Sequence, residues 1–259
     1  MAGNIGLTDI QQAEYDEFKK RKNGEGKPLT PKMEETFALY QNKIDKPELP
    51  QGAKTYCKKW LKEYLYKRRT DIQSKYITKG NETEESGFTL MCLELKLGMV
   101  YKNEQYREND SMTGTWDLKV PDEVLDNKSC WSLDTFPMFE IVNPKTEYDW
   151  QMDVYMELAE VSKARLCYTL NDTPEILIQK ELRWVDAPED RIRVINNMVF
   201  TRPYFEAMRN KYAPESDLDF VEIPQNKRIK TFSYIKDPVR IYRIRERVKM
   251  CNSYINSLI

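Results

Sequence analysis

Residues 114–129, GTWDLKVPDEVLDNKS, decide the fold class of this chain. Trp116 to Val120 and Val124 to Cys130 are strand-like, and Pro121, Asp122 and Glu123 supply a turn between them, so the segment reads as a β-hairpin. Side chains alternate along a strand, which puts Asp126 and Lys128 on one face and Asn127 on the other. With Asp117 across the hairpin on that same face, two anionic side chains and an ammonium meet at one point. Magnesium prefers hard oxygen ligands and is the expected occupant of such a point.

The segments on either side add to this constellation. Downstream, TEYDWQMDVYMELAEVS (residues 146–162) is expected to form an amphipathic helix, with Thr146 as N-cap and Asp149 three residues on completing a capping box. Gln151 and Tyr155, four apart, then share one face of that helix. Upstream, KGNETEES (residues 79–86) is expected to open another helix, whose apolar positions Phe88, Met91 and Leu95 continue the line from Glu84. An acid in register with a buried stripe needs a functional reason.

Composition excludes several chemistries. The chain of 259 residues contains no histidine, which removes Ser-His-Asp and Cys-His catalysis, zincin-type H-E-x-x-H sites and the histidine-based nucleases. Proton transfer is left to carboxylates, lysine, tyrosine or water. Cys57, Cys92, Cys130, Cys167 and Cys251 are scattered singly, and no signal peptide or long apolar run stands out, so a soluble cytoplasmic protein without membrane partners is the expectation. The net charge of −1 makes no case for nucleic acid. Its distribution adds a little: Lys58, Lys59, Lys62, Lys67, Arg68 and Arg69 gather on one helix, Lys227, Arg228 and Lys230 on a strand or loop, and Arg240, Arg243, Arg245, Arg247 and Lys249 on the last helix. Such groups could line a phosphate track, and each reads equally well as a solvated face.

The length suits one compact domain without internal repeats. Residues 1–75 read as a helical extension: a first helix from Leu7 to Lys22, a second with Thr30 as cap and Pro31 at its first position, and a third from about Gly52. Residues 76–259 read as the core with C-terminal helices. From Gly80 the expected order is helix, three strands, helix and strand, the last at Lys163 to Leu170, with Glu175 to Trp184 extended or at an edge. Arg191 to Tyr212 and Pro238 to Leu258 read as helices. This order points to an α/β core with helices on both faces of its sheet.

In order and spacing these residues resemble the PD-(D/E)XK nuclease superfamily, within it the branch of lambda-type (YqaJ-like) phage recombination exonucleases and RecB-like nucleases. The matching positions are Gly80 with Glu84 or Glu85 on a helix, the Gly-x-x-Asp strand Gly114 to Asp117, the acid-x-Lys strand Asp126 to Lys128, and the Gln-x-x-x-Tyr helix Gln151 to Tyr155. The phrases DNKSCWSLDTFP and YDWQMDVYMELAEVSKARLCYTL also look like phage members of the group, and the motif-bearing resemblance covers residues 76–185. The chain departs from the pattern in having Asp126 where many relatives have Glu, and Asn127 where a β-branched residue is commoner. It also lacks the grouped cysteines of the iron-sulfur branch, so no such cluster is expected.

The resemblance implies a restriction-endonuclease-like core, a mixed central sheet flanked by helices. It implies that Asp117 and Asp126, with the Asn127 carbonyl and Glu84 or Glu85, hold one or two Mg²⁺ or Mn²⁺ ions. Glu82 is the remaining acid of that helix, and the helical register favours Glu84 over it and Glu85. Lys128 would hold the attacking water and offset charge on the phosphate oxygens, with Gln151 and Tyr155 in support. The implied activity is duplex DNA resection from ends by a phage-type exonuclease, with a single-strand annealing protein as partner and a homo-oligomeric ring as the assembly. A RecB-like or restriction-type endonuclease is one alternative; an inactive DNA-binding or virion-associated protein of the same fold is another. Trp131, Trp150 and Trp184 are assigned to core packing over base stacking. Ser129 either bonds a phosphate or ends its strand.

Overall fold

Capping chemistry sets the first helices. The computed structural model describes residues 7–259, so the first six residues of the expected extension lie outside it. Helix α1 (Asp9–Lys22) starts at a capping box: the Thr8 hydroxyl accepts from the Gln11 N–H, and the Gln11 side chain accepts from the Thr8 N–H. In α2 (Pro31–Asp45), Thr30 caps the Met33 N–H and Pro31 fills the first position, where its missing donor costs nothing. Helix α3 (Gln51–Tyr66) buries Ala53, Cys57 and Leu61 and ends at Lys67, whose φ of 51° turns the chain away.

The acid-bearing helix expected at KGNETEES is two helices. Ser74 caps α4 (Lys75–Glu82), so that helix begins before Gly80, and α5 (Glu84–Glu94) follows after a break at Thr83. The cause is Thr83 itself: its hydroxyl donates to the Lys79 carbonyl and pairs at 2.7 Å with the Ser129 hydroxyl. After α5 come the short strands β1 (Arg107–Asn109) and β2 (Met112–Gly114). The hairpin follows as β3 (Leu118–Val120) and β4 (Glu123–Ser129), which pair antiparallel with Leu118 opposite Leu125. The first strand is shorter than expected, because Trp116 and Asp117 precede the regular ladder.

Helix α6 (Glu147–Leu158) carries the chain from β4 to β5 (Lys163–Thr169), which pairs parallel with β4. A parallel pair requires such a crossover. The expected capping box at its start is absent: Thr146 already has helical angles (φ −60°, ψ −21°), so its hydroxyl does not fold back, and Asn143 organises the approach by accepting from the Lys145 N–H. Glu175 to Trp184, expected to be extended, forms α7 (Glu175–Leu182), which buries Leu177, Ile178 and Leu182. The single helix expected over 191–212 is α8 (Pro188–Met198) and α9 (Arg202–Tyr212). Between them the Asp172 carboxylate takes the N–H groups of Phe200 and Thr201, and Pro203 offers none, so no continuous helix can form. Strand β6 (Ile229–Ile235) then pairs antiparallel with β5, and α10 (Pro238–Asn256) ends the chain.

The chain divides into two compact units. One comprises the residues up to Thr70, Asp110–Met112 and Asp237–Ile259, and in it α10 packs on α3 and α1 on α2. The other, Asp71–Asn109 and Thr113–Lys236, holds the mixed sheet in the order β3-β4-β5-β6. Helix α5 covers one face of that sheet, where Met91 meets Leu118, Leu125 and Cys167. Helix α6 covers the other, where Met152 and Met156 meet Val124, Ala164 and Leu166. Strand β5 is therefore buried nearly throughout, as a strand covered on both faces must be. Each fully buried Leu or Met contributes about 1.5–3 kcal/mol.

Helix α5 approaches β4 at Gly87. A Cβ there would lie 2.3 Å from Asn127 Nδ2 and 2.9 Å from Thr169 Oγ1, and these two side chains are themselves hydrogen-bonded. We expect Gly87→Ala to cost about 1–3 kcal/mol by pushing α5 off the sheet, which thermal unfolding would register as a fall of several degrees. An unchanged melting temperature would mean that α5 moves without resistance.

Candidate functional site

The hairpin register extends one residue beyond the ladder and brings Asp117 level with Asp126. The Asn127 N–H donates to Asp117 Oδ2 at 2.6 Å, tying the first acid to the strand that carries the second. On β4, Lys128 Nζ lies 2.6 Å from Asp126 Oδ2, as side chains two apart on one strand face should. Asn127 turns to the opposite face, where Thr169 donates to its Oδ1. Glu84, in the first turn of α5, lines the same cleft. Together Glu84, Asp117, Asp126, Asn127, Lys128 and Tyr155 line one cleft of about 750 Å³.

The remaining residues singled out in the sequence stand further back. Glu82 and Glu85 are exposed and do not line the cleft. Gln151 does not line the cleft; its Nε2 donates to the Tyr155 hydroxyl at 2.6 Å. Tyr155 in turn packs against Gly114, where a Cβ would come within 2.7 Å of its ring. A glycine three residues before Asp117 is thus what lets the tyrosine reach the cleft. Of the three tryptophans assigned to the core, Trp184 is 81% exposed, because it lies past Leu182, the last buried residue of α7; Arg183 stacks over its ring.

Asp126, buried, and Asp117, half-buried, are both strained in their ionisation. Burial pushes the Asp126 carboxyl up to about 6, the Asp117 charge adds to the rise, and Lys128 opposes it. Asp117 is also raised, first by burial, with the Asn127 N–H and Lys128 pulling the other way. Burial works against the Lys128 ammonium, yet the Asp126 carboxylate outweighs it and holds the lysine above its ordinary value. Lys128 is therefore a fixed cation at neutral pH and not a base. Tyr155 is pushed up to about 12 by burial and then by Asp126, so it keeps its proton. Glu84 pairs with Lys102 at 2.7 Å.

Among the described residues no three acidic or cysteine side chains converge tightly enough to cage an ion by themselves. The donor set still fits magnesium or manganese. Asp126 Oδ2 is buried with no hydrogen-bond partner among the described residues beyond its ion pair with Lys128, Asp117 lines the same cleft with further hard oxygens, and magnesium is commonly held by one or two carboxylates with water and substrate phosphate completing its shell.

The cleft also contains residues the sequence reading passed over. Lys79 is 1% exposed, donates to the Trp131 carbonyl at 2.8 Å and lies over the rings of Trp131 and Phe200. Burial lowers it to about 8, against the pull of Cys130 and Asp172. With the Thr83–Ser129 pair it fastens the α4–α5 junction, and so Glu84, to the end of β4. Its place directly before Gly80 was the available signal. Tyr148, with Lys128 Nζ 5.2 Å over its ring, stands seven residues before Tyr155 on the same helix face, a spacing that was readable. Lys102, which pairs with Glu84 and does not itself line the cleft, comes from an irregular loop with no pattern to betray it.

No protein-family model matches the chain, and a search of curated proteins found no match. Solved structures do match. A phage-related exonuclease from Haemophilus somnus 129PT is 25% identical, with a TM-score of 0.63 over 90% of this chain and 89% of that one. An alkaline exonuclease from Laribacter hongkongensis is 12% identical, with a TM-score of 0.51 over 80% of this chain and 81% of that one, a likeness of fold. The α/β fold built around the hairpin, with its mixed four-stranded sheet, is the fold that these exonuclease structures share.

Proposed function

We propose that the chain is a metal-dependent deoxyribonuclease of the phage exonuclease type, hydrolysing phosphodiester bonds from duplex DNA ends. The observation that carries this reading is the convergence of Asp117, Asp126 and Lys128 in one cleft, on a fold shared with a phage-related exonuclease. Asp117, Asp126, the Asn127 carbonyl and Glu84 would hold the ion. A bound Mg²⁺ or Mn²⁺ would supply Lewis acidity toward the phosphate and lower the pKa of water.

The chain's own residues do the rest. Lys128, held by Asp126, places a permanent positive charge where the phosphate oxygens gain negative charge in the transition state. Tyr155, steadied by Gln151, keeps a phenolic proton available to hydrogen-bond water or phosphate. With no histidine in the chain, the proton of the attacking water passes to a carboxylate or to solvent. Assembly as a homo-oligomer and partnership with a single-strand annealing protein belong to the same proposal.

The test is digestion of linear and covalently closed circular duplex DNA, with magnesium or with EDTA. Loss of linear DNA alone, dependent on metal, is the expected result. Cutting of the circle would make the chain an endonuclease, and no metal-dependent cutting of either substrate would leave a binding protein.

A further inference from the structure

Helix α3 carries a surface that the cleft chemistry does not use. Tyr56, Trp60 and Tyr64 follow at i, i+4 and i+8, beside the buried stripe of Ala53, Cys57 and Leu61, and are 49%, 42% and 56% exposed. The Trp60 and Tyr64 rings stack almost in parallel, 5.2 Å and 9° apart, and Lys67 Nζ lies 4.3 Å over Tyr64. In the adjoining row, Lys59, Lys62 and Tyr66 line a cleft of about 480 Å³ together with Arg68, Thr70 and Glu63, whose carboxylate lies 3.7 Å from Lys59 Nζ.

Charge is concentrated here as well. From Gln51 to Thr70, seven lysines and arginines stand against the one carboxylate of Glu63, in a chain whose net charge is −1. An aromatic row in water, bordered by cations, suits a ligand that carries both flat apolar faces and regular negative charge. Duplex DNA supplies the charge but hides its base faces in the stack. Single-stranded nucleic acid presents both.

We propose that α3 is a binding site for single-stranded nucleic acid, with bases on the Tyr56, Trp60 and Tyr64 row and phosphates on Lys59, Lys62 and Arg68. The biological occupant rests on the nuclease reading, since resection of one strand of a duplex leaves the other single-stranded. The binding chemistry does not depend on it. A strip that retains that strand would keep the protein on its substrate between cleavage events.

The experiment is fluorescence anisotropy with a labelled twenty-nucleotide oligothymidylate and with a blunt duplex of the same length. EDTA is present throughout, so that metal-dependent cleavage does not intervene. Trp60→Ala combined with Tyr64→Ala is expected to weaken oligothymidylate binding by about tenfold or more and duplex binding far less. Lys59→Gln combined with Lys62→Gln, a surface change that does not touch the buried stripe, is expected to reduce the salt dependence by about 0.7 for each phosphate no longer neutralised. Oligothymidylate binding that neither pair weakens would overturn the proposal, and so would equal losses on the duplex. Binding to phosphatidylserine vesicles is measured alongside, and substitutions that abolish it while leaving oligothymidylate binding unchanged would overturn the proposal in favour of a membrane surface. The two readings fail separately: degradation of linear DNA with oligothymidylate binding indifferent to α3 removes the strip and keeps the cleft, and the converse keeps the strip alone.

Discussion

Lys128→Ala is expected to reduce metal-dependent cleavage by about 10²–10³-fold or more while leaving the fold intact. Lys128 is partly buried, its ammonium is fixed 2.6 Å from Asp126, and its pKa is held above the ordinary lysine value, so its charge is present across the neutral range. Lys128 is the one cation that β4 itself contributes, while Lys79 and Lys145 line the cleft from other elements. The loss should fall on kcat more than on KM, since the charge it opposes develops in the transition state. Steady-state rates on linear duplex with saturating magnesium, alongside circular dichroism, would measure this. Normal turnover by a folded Lys128→Ala protein would remove the lysine from the site.

Asp126→Asn should abolish cleavage and, without metal, make the protein more stable at pH 7. The unfolded chain releases the Asp126 proton near pH 4 and the folded chain near 6, because burial and the Asp117 charge raise it. Between these values the folded state binds more protons, so stability falls as pH rises through the window and stays lowered above it. The penalty is on the order of 3 kcal/mol. The opposing pull of Lys128 is already contained in that shift, so the expected net gain at pH 7 is about 2–3 kcal/mol. Thermal unfolding in EDTA from pH 4 to pH 8 should show the variant ahead of wild type at the upper end only. Added magnesium should stabilise wild type and not the variant. A variant less stable than wild type at pH 7 in EDTA would contradict the burial cost assigned to this carboxylate.

Much of the cleft was legible because its chemistry is local. Asp126 and Lys128 are two apart on one strand, so alternation alone predicts that they touch, and Gln151 and Tyr155 meet by helical periodicity. The failures come where a distant partner decides. Thr83 ends α4 because Ser129 lies beside it, 46 residues away, and the helix beyond Met198 stops because Asp172 captures two backbone donors. Glu175 to Leu182 is helical because its apolar residues pack on α8 and α9, which no local pattern announces. Lys79 is hidden for the same reason, since its partners, Trp131 and Phe200, are remote in sequence.

The hairpin also sets where the chain can be cut and lengthened. Every acid and cation on β4 owes its face to the strand's two-residue repeat, so one residue inserted between Val124 and Ser129 would turn Asp126 or Lys128 toward α5 and bring Asn127 round in its place. The exposed tip at Pro121 and Asp122 carries no such phase, because the pairing of Val120 with Glu123 holds both strands in step below it. A reporter loop or peptide tag grafted at that tip leaves the order of donors untouched, which makes it the natural handle for following this cleft while it works.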